Sequence, residues 1–417
     1  MKKTLLLPVF FLFVSSLVNA QCTGRYYDEL FSVKSNLNVP FGRNAEFDGD
    51  TIDLSMHIYE PDGDNFARRP LIILAFGGSF TAGIKESPDI LTLCDRFAKR
   101  GYVTSTIDYR LGFENGNDSD TNQFKALMRG IQDMRAAIRF FYKDASTVND
   151  WRIDTTQIFA GGVSAGAFIA LNHGYFKDTI FSNPPPDWVQ AAFDEVGGVE
   201  GFSGNPGYST KVKGVINLCG ALADTLWIQT ADPVLVSVHG TADDLVSFTQ
   251  DTNSVESLLL GSGLIHQRAN NVGLPNSLSP FAGAGHVPFI LPSSPFLPPS
   301  SLYMDTTINT IRDFLYQHVI CDSATVSGIE DNALLQAEMV VYPNPSTNTI
   351  TVYVNQSAED LLLELYTVTG KQLNSYIIGR NTGSITVPVQ NFGAGIYLLT
   401  LKNREGSVLK VKKVVVK

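Results

Sequence analysis

The sequence predicts an α/β fold, a doubly wound and mostly parallel sheet, followed by a small all-β sandwich. Three observations lead there. A continuous apolar run at 71–76 and largely apolar stretches at 158–163, 212–218 and 234–238 read as strands buried on both faces, as parallel sheets require. Helical periodicity fills the intervals, with apolar residues at Phe124, Leu127, Ile131, Met134, Ile138 and Phe141 the clearest case. After a polar stretch at 322–339, short alternating strands with Asn, Gly and Pro turns run to the end of the chain.

At 417 residues and 44% hydrophobic, the chain can bury a large core and a second unit. Residues 1–20 read as a secretory signal peptide: Lys2 and Lys3 form a basic start, Leu5 to Leu17 an apolar centre, and Val18-Asn19-Ala20 a small-residue cleavage site. The apolar run is too short to span a bilayer, and no later segment is long and apolar enough to do so. Gln21, before Cys22, is not the small residue that lipid acylation requires. Four cysteines in an exported chain, Cys22, Cys94, Cys219 and Cys321, allow three complete pairings. Cys22 and Cys321 bracket the larger region and are placed to clip its ends, whereas Cys94 and Cys219 sit in apolar contexts and read as buried thiols.

The charge balance is 31 basic against 41 acidic residues, and removal of the leader takes away two of the lysines. Such acidity disfavours nucleic acid and anionic membranes as partners. The last 78 residues reverse it, with 8 basic against 4 acidic. That reversal supports a boundary and gives a division into a catalytic region at 21–321, a linker at 322–339 and a tail domain at 340–417.

Taken in order, Ile52 to Tyr59 alternates as a half-exposed edge hairpin does, and 61–65 turns the chain. Its clustered acids, like those at 118–122, lack the loop glycine and closing glutamate of a calcium-binding EF-hand and read as solvated loops. Strand 71–76 ends in Gly77-Gly78-Ser79-Phe80, where glycines let backbone N–H groups face a ligand. Ser87 as N-cap, Pro88 in the first turn and Gly101 as stop bound a helix. A strand at 102–108 and a long helix at 122–143 follow. Between 171 and 211 the period is lost among prolines and glycines, which predicts a long loop able to act as a wall or lid over a pocket. Beyond the strands at 212–218 and 234–238, a capped helix at 262–271, a strand at 278–282 and a closing helix at 301–318 complete the region.

The chemistry centres on Gly162-Val163-Ser164-Ala165-Gly166, a G-x-S-x-G sequence between an apolar strand and a helix-forming run. Glycines two before and two after the serine permit a sharp turn that thrusts its hydroxyl outward, with helix N–H groups aimed at the same spot. Acyl transfer needs an activated hydroxyl, a base, a carboxylate that orients the base, and donors for the oxyanion. Ser164 is the candidate nucleophile. His286, in the glycine-flanked loop after the last strand, is the candidate base; His57, His173, His266 and His318 read as structural, and His239 as a brace for the acid loop. The acid comes from the Asp243-Asp244 loop, with Asp243 favoured and Asp244 the alternative. Backbone N–H groups of Ala165 and of Gly78 or Ser79 form the candidate oxyanion hole. No metal or other cofactor is called for.

These residues carry a resemblance. From Pro70 to His286 the chain resembles α/β-hydrolase carboxylesterases, close to the hormone-sensitive-lipase-like and feruloyl or acetyl xylan esterase groups. The matching segments are Gly77 to Phe80, Asp108-Tyr109-Arg110-Leu111, Gly162 to Gly166, His239-Gly240-Thr241-Ala242-Asp243 and Gly285-His286. The resemblance implies a secreted, cofactor-free serine carboxylic-ester hydrolase on short-chain or plant-polysaccharide-linked esters. A serine peptidase or amidase of the same fold, or a polyester or lipid hydrolase, is the alternative. Phe76 stands where those families carry histidine, Ser79 where they carry a third glycine, and Val163 where the lipase-like elbow often has Asp, so the substrate stays open. Phe80, Trp227 and the aromatics of 171–211 are expected to line the pocket. Val341-Tyr342-Pro343-Asn344-Pro345, Leu365 to Lys371, Gly395-Ile396-Tyr397-Leu398 and Lys412-Lys413-Val414 resemble the type IX secretion sorting domain of Bacteroidetes. That resemblance implies export across the outer membrane by the type IX machinery, usually with loss of the tail.

Overall fold

The computed structural model describes residues 24–116, 119–177, 187–252, 258–290, 301–317, 339–354, 360–367, 371–380, 384–404 and 408–417. The expected leader, Cys22, Cys321, His318 and all of the expected linker except Met339 lie outside them. The chain divides into two units, Met1–Thr325 and Val326–Lys417.

The first unit opens with an antiparallel hairpin, β1 (Val33–Ala45) and β2 (Thr51–Pro61). Strand β1 is the sheet edge and mostly exposed or half-buried, whereas β2 pairs with the next strand on its other side and buries Leu54, Met56, His57 and Ile58, so 52–59 is an inner strand and not the expected half-exposed edge. The central strands follow: β3 (Arg69–Ala75), β4 (Val103–Ile107), β5 (Ile153–Val163) and β6 (Gly214–Leu218). After a two-residue β7 (Ala221–Leu222) come β8 (Val234–Gly240), two short strands β9 (Gln250–Thr252) and β10 (Leu258–Gly261), and β11 (Asn276–Phe281). Eight of them make one sheet in the order β1-β2-β4-β3-β5-β6-β8-β11, parallel from β4 through β11. Every residue of β3, β4 and β6 is buried: in β3 this leaves the apolar run Leu71 to Ala75, whereas β4 buries the hydroxyl residues Thr104, Ser105 and Thr106 and β6 buries Asn217.

Among the described residues six α-helices accompany these strands: α1 (Pro88–Ala98), α2 (Asp120–Ser146), α3 (Ala165–Tyr175), α4 (Asp187–Glu195), α5 (Ser262–Asn271) and α6 (Ser301–Leu315). Helices α1 and α6 pack together, as do α2 and α3. Two serines at helix starts, Ser87 (the expected N-cap) and Ser262, are taken for other work. Ser87 stands at the N-cap of α1, but its hydroxyl bonds the carboxylate of Asp89, a group 2% exposed that needs a donor more than the helix amide does. Ser262 begins α5 one residue inside the cap and turns its hydroxyl into a buried polar chain.

The described residues of the expected loop at 171–211, 171–177 and 187–211, are more ordered than their composition suggests. Helix α3 runs on to Tyr175, and α4 is a helix that the flanking prolines and glycines concealed. The segment after α4 is tied down by hydrogen bonds. Gln132 of α2 donates to the carbonyls of Val196 (2.8 Å) and Gly198 (2.6 Å), and Arg139 to that of Gly204 (2.9 Å). The Arg43 amide of β1 donates to the Ser203 carbonyl at 2.7 Å. This stretch is thus a buttress on α2 and β1. At its centre lies Asp133, fully buried, accepting from the Arg110 amide (2.8 Å), the Arg110 Nε (3.1 and 3.0 Å) and the Ser203 hydroxyl (2.5 Å). The acidic turn at 61–65 departs from a solvated loop in the same way, because Asp64 is buried in a two-point pair with Arg25 at 3.1 and 2.7 Å.

The second unit is all antiparallel apart from one isolated bridge between Ser346 and Val416. One sheet holds β12 (Met339–Tyr342), β13 (Thr349–Val354) and β16 (Ser384–Pro388). The other holds β14 (Leu361–Thr367), β15 (Gln372–Ile378), β17 (Gly395–Lys402) and β18 (Val408–Val416). Ile350, Val352, Leu363, Leu399, Leu401 and Val414 form its separate core.

Two predictions concern stability, and all three tryptophans lie in the first unit, so their fluorescence reports its unfolding. Asp133→Ala strands the Arg110 guanidinium without its buried partner and is expected to cost about 3–5 kcal/mol in urea unfolding. His173 and His266 are buried and fold in the neutral form, burial holding their pKa values down to about 3 and about 4. The unfolded chain therefore binds protons that the native state refuses, and stability falls as pH drops from about 6.5 toward 4, on the order of 2 kcal/mol per histidine. Urea midpoints measured from pH 7 to pH 4 should decline in the wild type and decline less in His266→Gln.

Candidate active site

Strand β5 does not fade into its loop; it stops at Val163 and reverses within one residue. Ser164 carries that turn at φ 52° and ψ −118°, a left-handed conformation that costs a non-glycine residue about 1–3 kcal/mol. The turn is fixed from both sides. The Ser164 amide donates to the Leu218 carbonyl of β6 at 2.9 Å, and the Ser164 carbonyl accepts from Ala167 (2.8 Å) and Phe168 (3.0 Å) to start α3. Gly166 lets α3 approach so closely that a Cβ there would sit 2.1 Å from the Ala75 carbonyl oxygen of β3.

The loops after β8 and β11 converge on this serine. Ser164 Oγ lies 2.9 Å from His286 Nε2, and His286 Nδ1 lies 2.7 Å from Asp243 Oδ2. Asp243, not the exposed Asp244, meets the imidazole. The Asp243 side chain has no exposure, and its two oxygens receive four N–H groups. Oδ1 accepts from the amides of Leu245 (3.0 Å) and Val246 (2.8 Å), and Oδ2 faces His286 and His239, the latter at 3.2 Å. Burial alone would raise this carboxyl's pKa, but the hydrogen bonds from His239, His286 and Val246 outweigh it and hold the group well below the usual carboxylate range.

The loop after β3 lies against the serine from the other side. A Cβ on Gly77 would fall 3.2 Å from that of Ser164. Gly78, Ser79 and Phe80 all have positive φ (136°, 53° and 61°), and the Gly78 and Ser79 amides make no backbone hydrogen bond among the described residues. Partners from several strands hold this loop. The Tyr109 hydroxyl donates to the Phe76 carbonyl (2.9 Å) while the two rings stack at 4.3 Å. Lys85 Nζ donates to both oxygens of Asp108 (3.1 and 3.0 Å), and the Thr106 hydroxyl to the Lys85 carbonyl (2.9 Å). His57 Nε2 donates to Glu86 at 2.8 Å. These supports come from residues that no local pattern singles out, apart from the Asp108-Tyr109 pair that carried the resemblance.

Trp227 departs from the expectation of a pocket-lining residue. Its ring packs on Phe176 at 5.2 Å, beyond the far end of α3. The eleven residues of that helix put about 16 Å between there and the serine. Phe80 stays beside the site, half-buried and edge-on to Tyr109 at 6.3 Å. Cys219, His239 and Asp243 bring three donor atoms within 4.8 Å of one another, but the set does not suit a metal. Burial pushes the Cys219 thiol up to about 12, and His239 Nε2 faces the Val246 carbonyl at 2.8 Å and so carries a proton where a metal would need a lone pair.

The sheet order and its strand–serine–helix turn define an α/β hydrolase. Residues 56–221 match the family model BD-FAE, and residues 340–417 match the model of a secretion system C-terminal sorting domain. The chain is a carboxylic ester hydrolase with an appended sorting domain, which directs type IX secretion to the cell surface or extracellular space. Among solved structures it is similar to esterase 2 of Thermogutta terrifontis phosphorylated by paraoxon, at 22% identity and TM-score 0.48, over 70% of this chain and 96% of that one. The propionate-bound esterase of the same organism is similar at 22% identity and TM-score 0.46, over 66% and 94% of the two chains. No curated protein matches the chain.

The strain at Ser164 has a measurable sign. Ser164→Gly releases the positive-φ cost, so it should unfold at higher urea than Ser164→Ala, by about 1 kcal/mol after allowing for glycine's greater freedom in the unfolded chain. Equal midpoints would mean that the turn is unstrained.

Proposed function

We propose that Ser164, His286 and Asp243 act as nucleophile, base and acid of a serine esterase working through an acyl-enzyme. The observation that carries this reading is the pair of hydrogen bonds, 2.9 and 2.7 Å, linking the strained serine to a fully buried carboxylate. Ser164 Oγ adds to the ester carbonyl as its proton passes to His286 Nε2. The amides of Ala165 and of Gly78 or Ser79 receive the oxyanion, each such donor lowering the barrier by about 3 kcal/mol. Collapse breaks the ester C–O bond, His286 returns the proton to the departing alcohol, and the acyl group stays on Ser164. Water, deprotonated by the same imidazole, then releases the acid and restores the hydroxyl.

The substrates we assign are short-chain or plant-polysaccharide-linked esters. The leader at 1–20 would carry the chain across the inner membrane, and the sorting domain at 340–417 would be removed after export, leaving the catalytic region at 21–321 and its linker at 322–339.

The test is hydrolysis of p-nitrophenyl esters from acetate to palmitate by the full chain. Activity concentrated on short acyl groups is expected, with Ser164→Ala reducing kcat by about 10⁴-fold or more. Preference for long chains would replace the reading with a lipase, and a folded protein inactive on every ester but active on peptide substrates would replace it with a peptidase.

A further inference from the structure

We propose that His239 is a positioning residue for the triad acid, a second imidazole that donates its Nε2 proton to the same Asp243 oxygen that serves His286. The inference rests on the triad proposed above and assigns it a fourth member.

Both rings meet Oδ2, His286 from the solvent side at 2.7 Å and His239 from the interior at 3.2 Å, with no exposure. The proton on His239 has one place to be. Nε2 faces two acceptors, Asp243 Oδ2 and the Val246 carbonyl, so it is the donor. Nδ1 must then accept, and the Ser262 hydroxyl lies 2.8 Å away to donate to it. Ser262 Oγ in turn accepts from Asn217 Nδ2 at 3.0 Å. The amide of Asn217 cannot turn over, because its second hydrogen goes to Ser237 Oγ (3.0 Å) and its oxygen takes the Gly220 amide (2.9 Å). A second arm leaves Ser237 for His266 Nε2 (2.7 Å), whose Nδ1 donates to Asn276 Oδ1 (2.7 Å). Asn276 spends its own amide hydrogens on Asn270 and the Leu274 carbonyl, both at 2.8 Å. Every donor and acceptor in this chain points one way, and β6, β8, β11 and α5 each supply a member. The ring of His239 is also held edge-on by Phe248 at 5.7 Å.

Two effects follow. A donor on Oδ2 draws charge from the oxygen that orients and polarises His286, so the pull of Asp243 on the imidazole is shared between two rings. The same donor, with the Leu245 and Val246 amides, prevents the carboxylate from rotating away. The groups facing this centre are His239, His286 and Cys219 around Asp243, Ser262 and Asp243 around His239, and Ser164 and Asp243 around His286.

The test is the pH dependence of Ser164 labelling by a fluorophosphonate in the full chain, which reads the base without needing the natural ester, together with kcat/KM on p-nitrophenyl acetate. His239→Leu removes the donor, and the acid limb of both profiles should rise by about one pH unit, with the plateau falling roughly ten-fold. His239→Gln restores an N–H at the Nε2 position and should bring the limb back toward the wild type, which a packing role alone would not do. Should His239→Leu fail to fold, Ser262→Ala leaves the ring in place without its anchor and should raise the limb by a smaller amount. An unmoved limb in a folded variant, or equal shifts in Leu and Gln, overturns the inference. If the wild type is not labelled at Ser164, or Asp243→Ala retains full activity, the triad itself fails instead.

Discussion

The catalytic unit depends on a contact with no room in it. Helix α3 meets the end of β3 where Gly166 faces the Ala75 carbonyl, at a distance that any side chain would close. Because the helix can come that near, β5 ends inside the sheet's edge and Ser164 must reverse the chain in a single left-handed residue. The amide bond to Leu218 then ties the turn to the next strand, so the serine's position is set by three neighbouring strands and not by its own loop. Local strain of this kind persists only when its surroundings over-determine it, and here they do.

Around that fixed point the unit concentrates its buried polarity at the carboxyl ends of the strands. Behind the site, Asn217, Ser237, Ser262, His239 and His266 form a continuous hydrogen-bonded chain inside the core. Beside it, Arg110 and Asp133 fasten the segment after α4 to α2, and Lys85 and Asp108 fasten the loop after β3. A buried group left half-satisfied would be costly, whereas complete networks hold side chains in one geometry. Rigid loops at the mouth of the sheet are the result, as the proposed triad and oxyanion donors would require.

The sequence made the sheet legible because strands buried on both faces leave predominantly apolar runs, as β3, the second half of β5, β6 and β8 do. Ser164, Asp243 and His286 were legible because each sits in a glycine-bearing turn at a strand end, where a polar side chain has no packing reason to be. What stayed hidden depends on pairing across distant segments. Asn217 and Ser237 look like interruptions in apolar strands until the fold sets them side by side. Helix α4 is too short and too closely flanked by breakers to announce its period, and Trp227 reads as a pocket aromatic until Phe176 is seen against it. Ser87 and Ser262 occupy cap-like positions in sequence, yet tertiary partners claim both hydroxyls.

The fully buried thiols of Cys94 and Cys219 bear on the chain's passage out of the cell. Burial pushes both up to about 12, so at neutral pH almost none of either is thiolate, and neither sulfur reaches solvent. Disulfide exchange proceeds through an accessible thiolate attacking a disulfide. Once the sheet is folded, neither of these two thiols is presented to an oxidant or an exchange partner, so their mispairing requires an unfolded chain. Rapid closure of the sheet over these two residues would protect the exported enzyme from scrambled isomers more effectively than any repair afterwards.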